Sequence, residues 1–391
     1  MRVVIVGGGF GGVRAALNLA NQPDFDVVLV SKRPYFAYTS ALYRSATGRS
    51  PREVAISLTD FFAKDRNVEV VEDEIIHLDQ AAKRVAGLKQ SVYHYDILII
   101  AVGAVTQYFG IKGLSEFSHS VGTFEEAMAL KAALHADLLN GHHKERNYVV
   151  VGGGATGVEL SGELIGYLKH IRRHHNVKTK FNVDLIEAGP RLLPSLPTGF
   201  TDGILRRVEQ LGVKVYFNTA VENETADEIE LPRGGIKSHT VMWTAGITNN
   251  PLFAKFPGVF DLGKSAKVVV NHYLEAQPGI YVLGDSAATK YSGMAQTAIS
   301  DANFVTSNLK RQLAKQARLD YQPILPIYAI PAGPHWAAVL WGNLRVYGYA
   351  GWILRRLADL RLYVTFLPLG KALAAWRAGF TPDETCPICK K

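Results

Sequence analysis

Uninterrupted apolar runs recur along the first three quarters of the chain, each followed by a glycine-rich or polar turn. Such runs are typical of strands buried on both faces of a parallel sheet. They cover residues 3–6, 26–30, 96–102, 183–186 and 279–285. Helical spacing of apolar residues predicts helices between them, over 14–20, 124–139 and 294–313. The pattern therefore predicts an α/β fold built from βαβ units.

The first strand leads directly into a glycine-rich turn. Gly7, Gly9 and Gly12 stand in G-x-G-x-x-G spacing after Val3–Val6, before a predicted helix. Here the first glycine permits a tight turn, the second lets the backbone approach a pyrophosphate, and the third lets the helix lie close to the strand. The unpaired N–H groups and the positive dipole end of the helix favour an anion. Strand, turn and helix together predict a dinucleotide site.

A second copy of this pattern lies in the middle of the chain. Gly152, Gly154 and Gly157 repeat the spacing, and the partner strand 183–186 ends in Glu187. A carboxylate at that place accepts a hydrogen bond from the ribose 2′-hydroxyl and repels a 2′-phosphate. The second site is therefore predicted to bind NAD(H) rather than NADP(H).

The first copy has no acidic residue at the matching place, where Ser31, Lys32 and Arg33 stand. That triplet is also typical of a site for a 2′-phosphate, so the first fingerprint alone does not name its ligand. The strand 279–285 delivers Asp285, which either accepts a ribityl hydroxyl or is an ordinary turn aspartate. The helix that Met294 opens would stabilise negative charge at a reduced flavin.

Composition and charge narrow the classes of partner. Of the 391 residues 48% are hydrophobic and 20% charged, which indicates a globular chain. The net charge of +8 favours anionic partners such as nucleotides or lipid headgroups, and no nucleic-acid-binding signature is present. Because Met1-Arg2 runs straight into the first strand, we expect no signal peptide and a cytoplasmic location.

Taken together, these motifs resemble the two-dinucleotide-binding-domain flavoproteins of the pyridine nucleotide-disulfide oxidoreductase superfamily. The resemblance rests on both fingerprints and on 101–104, 244–246 and Gly284-Asp285. Within that group the chain resembles type II NADH:quinone oxidoreductases over about residues 1–310, through local sequences at 42–43, 46–48, 157–160 and 295–296. In that family two glutamines usually follow the Ala-Gln pair, where this chain has Ser300 and Asp301.

The resemblance implies FAD as cofactor and NADH as substrate. It implies that hydride passes to flavin N5 and that electrons then pass to a membrane quinone. The enzyme would belong to a respiratory chain and would not pump protons. From the residues themselves, we expect no metal site. The residues implied to bind FAD are Gly7, Gly9, Phe10, Gly11, Gly12, Ser31, Lys32, Ala104, Gly284, Asp285, Ala295 and Gln296. Those implied to bind NADH are Gly152, Gly154, Ala155, Thr156, Gly157, Glu159, Glu187 and Gly246. The implied catalytic residues are Glu159, as a polar group that guides a proton, and Gln296; for Glu159 simple helix packing is the competing interpretation.

Three other functions remain open at this point. An NADH oxidase that uses oxygen and a ferredoxin-reductase-like enzyme share the expected fold, and a flavin- and NADH-binding sensor would bind both cofactors without rapid turnover. Enzymes that need redox cysteines beside the flavin are disfavoured, because residues 39–43 contain no cysteine. The sequence has two cysteines, Cys386 and Cys389, in the last six residues, with the spacing of half a zinc knuckle. Because the chain offers no second half, we predict a solvated tail there, and a metal shared with a partner chain is the alternative.

The C-terminal region has its own pattern. Residues 323–344 contain no Lys, Arg, Asp or Glu, but repeated prolines argue against a spanning helix. We predict a strand pair over 337–346 and an amphipathic helix over 352–367. Its apolar residues Ile353, Leu357, Leu360 and Val364 are interspersed with Arg355, Arg356, Asp359 and Arg361, which suits an anionic membrane surface.

These patterns predict three domains. An FAD-binding domain over 1–111 and 247–322 is split by an inserted NADH-binding domain over 112–246, and both are Rossmann-like. A small amphipathic module over 323–391 docks on a membrane or on a second copy of the chain. The expected location is cytoplasmic, peripheral on the inner face of the cell membrane.

Overall fold

The computed structural model describes residues 1–139 and 145–383. The prediction about Cys386 and Cys389 lies outside these residues. The chain forms two compact units. The first comprises Met1–Tyr38, Ala55–Val105 and Ile247–Pro326, and the second comprises Thr39–Val54, Thr106–Gly246 and Ile327–Lys391. The predicted three-part domain boundaries stay a prediction.

The described residues form the following strands: β1 Arg2–Val6, β2 Asp26–Ser31, β3 Tyr35–Ala37, β4 Ala55–Ser57, β5 Val68–Glu72, β6 Ile75–Asp79, β7 Arg84–Gly87, β8 Val92–His94, β9 Ile97–Ile100, β10 Ala104–Thr106, β11 Glu145–Val151, β12 Lys180–Ile186, β13 Val213–Tyr216, β14 Asn223–Glu224, β15 Glu228–Glu230, β16 Ile236–Lys237, β17 Thr240–Trp243, β18 Ile247–Asn249, β19 Glu275–Gln277, β20 Ile280–Val282, β21 Tyr328–Pro331, β22 Ala337–Trp341 and β23 Leu344–Val346.

The α-helices in the described part of the chain are α1 Phe10–Leu19, α2 Leu42–Ala46, α3 Leu58–Phe62, α4 Leu114–Phe117, α5 Phe124–Leu139, α6 Ala155–His174, α7 Thr198–Leu211, α8 Ala295–Leu313, α9 Gly348–Phe366 and α10 Leu369–Ala378. Helix α1 begins earlier than predicted because Gly9 is its N-cap. Helices α5 and α8 match the predicted spans closely.

The first unit is built on a six-stranded sheet in the order β19-β20-β9-β1-β2-β5. Strand β1 is central and pairs in parallel with β2 and β9, placing Val4 beside both Val28 and Leu98. All three side chains are buried, because both faces of the sheet are covered. The carboxyl ends of β1, β9 and β20 therefore lie side by side at one edge.

The second unit repeats this design with a parallel sheet in the order β13-β12-β11-β17. Strand β11 is central, and Val150 lies between Leu185 of β12 and Met242 of β17. Each sheet carries a strand, a glycine turn and a helix at its centre. This duplication confirms the predicted α/β class with two Rossmann-like halves.

The C-terminal part of the second unit contains a three-stranded antiparallel sheet, β21-β22-β23, followed by α9 and α10. The predicted strand pair is confirmed, and Gly342 provides the positive φ of 57° at its turn. Helix α9 covers most of the predicted span and begins earlier, at Gly348. Within residues 1–139 and 145–383, no helix is both long and apolar enough to cross a bilayer.

Candidate functional site

The first glycine turn has the geometry that its spacing predicts. Gly7 has a φ of 115°, and a Cβ there would lie 2.3 Å from the carbonyl oxygen of Ala101. A Cβ on Gly12 would lie 1.8 Å from the carbonyl oxygen of Gly7. Neither position tolerates a side chain, so glycine is needed both for the turn and for the close approach of α1 to β1.

The middle glycine of the turn faces open space. Gly9 is the N-cap of α1, and a Cβ built on it would meet no atom within 4 Å. Glycine is therefore not needed there for packing within the protein, in contrast to Gly7 and Gly12. Open space beside a helix N-terminus is what a dinucleotide phosphate requires, so the turn fits FAD.

The neighbouring predicted flavin residues have distinct environments. Phe10 is buried, with its ring 5.1 Å from that of Phe36, and so anchors the start of α1. Ser31 is buried at the end of β2, and its hydroxyl donates to the carbonyl of Arg33 at 2.7 Å. Lys32 is exposed and pairs with Glu74 at 2.9 Å. Gly11 is buried within α1.

The second group of predicted flavin residues lies at the ends of β9 and β20. Gly284, with a φ of 66°, opens a 3-10 turn over Gly284–Ser286, and the Ser286 hydroxyl donates to the carbonyl of Gly103 at 3.1 Å. Ala104 follows in β10. Burial raises the pKa of Asp285, while Lys267 and the N–H of Gly293 lower it.

Helix α8 begins close to this turn in sequence. Ala295 is half-buried and Gln296 is exposed in its first turn. The predicted flavin residues thus all lie in the first unit, at the sheet edge where parallel α/β sheets bind ligands. Their assignment to FAD stays a prediction.

The second glycine turn repeats the first in the other unit. Gly152 has a φ of 111°, Gly154 is the open N-cap of α6, and a Cβ on Gly157 would lie 1.8 Å from the carbonyl oxygen of Gly152. Ala155 and Thr156 are exposed in the first turn of α6. As in the first copy, the two outer glycines are needed for packing and the middle glycine faces open space.

Glu187 is held in place by backbone donors. Its carboxylate accepts hydrogen bonds from the N–H groups of Gly153 and Gly189, each at 2.6 Å. In the segment after β17, a Cβ on Gly246 would lie 2.5 Å from the Phe109 ring. A carboxylate fixed beside the glycine turn fits a ribose diol. The NADH residues, too, stay predictions.

Glu159 lies on the second turn of α6 and is half-buried. Burial raises the pKa of its carboxyl to about 7, whereas Arg355 and Arg44 lower it. A group with this pKa exchanges a proton near neutral pH, as proton-guiding residues must.

A buried ion cluster lies in the same unit as Glu159, and sequence reasoning missed it. It consists of Arg44, Glu53, Arg356 and Asp359. Arg44 contacts Glu53 at 2.9 Å and Asp359 at 3.0 Å, and Arg356 contacts both acids at 3.1 Å. Arg355 also contacts Asp359, at 3.4 Å. Both acids are completely buried.

The buried ion cluster corrects the interpretation of α9. Arg356 and Asp359 were expected on a polar surface, and both are buried instead. The sequence does contain a signal for these ion pairs, because Asp359 is an isolated acid among bases. It follows Arg356 by three residues and Arg355 by four, which is the spacing of ion pairs along a helix.

Three of the four apolar residues predicted to form a stripe on α9 are exposed, and the fourth, Leu360, is half-buried. Ile353, Leu357 and Val364, which we call the outer face, are 40%, 51% and 45% exposed. Tyr363 and Phe366 are buried together with the charged residues. In most amphipathic helices the apolar stripe packs on the core, so this arrangement is reversed.

Comparison with known proteins agrees with this geometry. The family model described as pyridine nucleotide-disulphide oxidoreductase matches residues 1–302. The type II NADH:quinone oxidoreductase Ndh of Mycobacterium tuberculosis is 28% identical, over 97% of this chain and 88% of that protein. Among solved structures, NDH2 of Plasmodium falciparum in complex with NADH matches with a TM-score of 0.86 at 18% identity, over 97% of each chain. The sulfide:quinone oxidoreductase of Aquifex aeolicus matches with a TM-score of 0.79 at 19% identity, over 98% of this chain and 92% of that one.

Proposed function

This chain belongs to the pyridine nucleotide-disulphide oxidoreductase family, and from that premise we propose that it is a type II NADH:quinone oxidoreductase with FAD as its cofactor. The observation that carries the proposal is the pair of glycine turns with different partners. The strand beside the first turn ends in Ser31, whereas the strand beside the second turn is followed by Glu187, whose carboxylate binds that turn. Two dinucleotides of different chemistry fit these two sites. The nearly full-length likeness to the mycobacterial enzyme supports the quinone as acceptor.

The protein's own residues bind and orient the two dinucleotides and supply a proton to the quinone. Bound FAD would supply the hydride- and electron-transfer chemistry between NADH and the quinone. Gly7, Gly9 and Gly12 seat the flavin's pyrophosphate, and Asp285 holds its ribityl chain. Glu187 selects NADH by repelling a 2′-phosphate. Glu159 holds a proton near neutral pH for the quinone that is being reduced.

Sulfide:quinone chemistry is not favoured, in spite of the structural likeness to the Aquifex aeolicus enzyme. Persulfide and disulfide reactions need cysteines beside the flavin, and the sequence contains no cysteine before Cys386. Oxygen and small redox proteins are the competing electron acceptors.

Stopped-flow spectroscopy tests the acceptor directly. The full-length protein, loaded with FAD, is reduced with NADH, and the reoxidation rate is then measured with a soluble quinone analogue and with air. We expect the quinone to reoxidise the flavin much faster than oxygen does. Equal rates would favour an oxidase, and no rapid reduction by NADH would favour a sensor.

We further propose that the outer face of α9 docks on an anionic membrane, as a peripheral contact on the inner face of the cell membrane. Ile353, Leu357 and Val364 present an apolar surface to solvent, and Trp341, 61% exposed, adds an aromatic side chain from β22. Exposed bases, such as Arg361, complement anionic headgroups.

Replacing Leu357 by Glu should weaken binding to anionic vesicles about tenfold or more, because an apolar side chain contributes about 1.5–3 kcal/mol when it leaves water. Vesicle co-sedimentation measures the effect. Leu88→Glu, at a 62% exposed apolar position of the first unit, is the matched control and should bind like the wild type. Unchanged vesicle binding by Leu357→Glu, together with the loss of a dimer in sedimentation, would assign the face to a second copy of the chain instead.

A further inference from the structure

Asp301 is a completely buried carboxylate on α8 that no step of the proposed reaction uses. Its two oxygens have different partners. Oδ2 accepts the backbone N–H of Gly284 at 2.9 Å, and Oδ1 accepts the phenol O–H of Tyr321 at 2.6 Å. Burial raises the pKa of Asp301 to about 6, and these two hydrogen bonds lower it. Burying a carboxylate costs free energy, and these two hydrogen bonds offset part of that cost.

One partner belongs to the turn that carries Asp285. Gly284 is buried with a φ of 66°, and a Cβ there would lie 3.0 Å from the Cβ of Ala298, one turn before Asp301 on α8. At the other end of the turn, Ser286 donates to the carbonyl of Gly103. Asp301 and Ser286 therefore hold the two ends of the turn, with Asp285 between them.

The other partner comes from the segment that follows α8. Tyr321 donates its N–H to the carbonyl of His272 at 2.8 Å, and its ring meets Phe304 edge to face at 5.2 Å. The Asn308 side chain binds both the N–H and the carbonyl of Leu319, each at 2.9 Å. The segment 319–321 is thus fixed to α8 independently of the phenol group, which leaves that group free to orient Asp301.

We propose that Asp301 and Tyr321 are positioning residues for the flavin: Tyr321 orients the carboxylate, the carboxylate holds Gly284, and the turn presents Asp285 to the ribityl chain. This inference rests on the proposed binding of FAD to the first unit. It assigns a role to Asp301, one of the two positions at which the sequence departs from the family that it resembles.

The test measures FAD affinity by flavin fluorescence on the full-length protein after the cofactor has been removed. Asp301→Ala should raise the dissociation constant of FAD about tenfold or more, because hydrogen bonds to a charged group are among the stronger ones. Tyr321→Phe should raise it severalfold, and Asp301→Asn, which keeps one acceptor oxygen, should lie between the wild type and Asp301→Ala.

Asn308→Ala is the matched control, since it loosens the same segment without touching the turn. It should lower the melting temperature and leave the affinity for FAD unchanged. If it weakens FAD binding as much as Tyr321→Phe does, the role of the pair is only structural and the inference is wrong. Should Asp301→Ala not fold, Tyr321→Phe decides, and an unchanged FAD affinity overturns the inference. A wild-type protein that binds no FAD would instead refute the proposed function.

Discussion

Replacing Asp359 with alanine is expected to destabilise the protein by about 3–5 kcal/mol, the usual cost of removing one partner from a buried ion pair. Asp359 is completely buried and contacts Arg44, Arg355 and Arg356 within 3.4 Å. Without it, Glu53 is the remaining carboxylate of the buried ion cluster, facing two buried guanidinium groups. The uncompensated charge, rather than the lost contact, dominates the expected cost.

Thermal unfolding followed by circular dichroism measures the effect. A loss of this size should lower the unfolding midpoint by about 5 °C. Arg361→Ala removes a charge from the exposed side of the same helix, and such surface changes usually stay within about 0.5 kcal/mol. If the two variants unfold at the same temperature, the buried ion cluster does not stabilise the protein as its geometry indicates.

The same cluster affects how membrane docking is tested. Arg356 donates to the carbonyl of Trp376 at 2.7 Å, and Tyr363 donates to the carbonyl of Glu53 at 2.9 Å, so α9 and α10 are part of the core of their unit. Deleting them would uncover Arg44 and Glu53. Single substitutions on the outer face therefore separate docking from folding, whereas a truncation does not.

Local patterns explain why so much of the fold could be predicted. The strand, turn and helix around Gly7 and around Gly152 depend on residues within a short stretch, and steric contacts make the spacing nearly obligatory. The carboxyl end of a parallel strand also fixes where Glu187 and Asp285 appear. These features are encoded locally, so a single sequence is enough to find them.

Pairings between distant parts of the chain could not be predicted in this way. Arg44 and Asp359 are 315 positions apart, and nothing near either residue names its partner. For α9 the apolar spacing was recognised, but spacing alone does not say which side of a helix faces the core. Asp301 was noted as a departure from a family pattern, yet only the structure shows that its carboxylate holds Gly284.

Glu159→Gln should slow quinone reduction about 100-fold, within the range that general acid–base groups contribute. Because burial raises the pKa of Glu159 to about 7, the carboxyl is mostly protonated below that pH and mostly ionised above it. If it delivers a proton to the acceptor, the rate of flavin reoxidation by quinone should fall as the pH rises through about 7. Glutamine cannot ionise, so the variant should lose this inflection.

Separate measurement of the two half-reactions makes this prediction specific. Reduction by NADH transfers a hydride and should be nearly unchanged in Glu159→Gln, while reoxidation by quinone slows. Glu163→Gln, one turn further along α6, is the matched control. Because Glu163 raises the pKa of Glu159, its removal should move the inflection slightly to lower pH and leave the rate below it unaltered. A variant Glu159→Gln that keeps both the rate and the inflection would mean that Glu159 only packs on α6 and that the proton reaches the acceptor by another path.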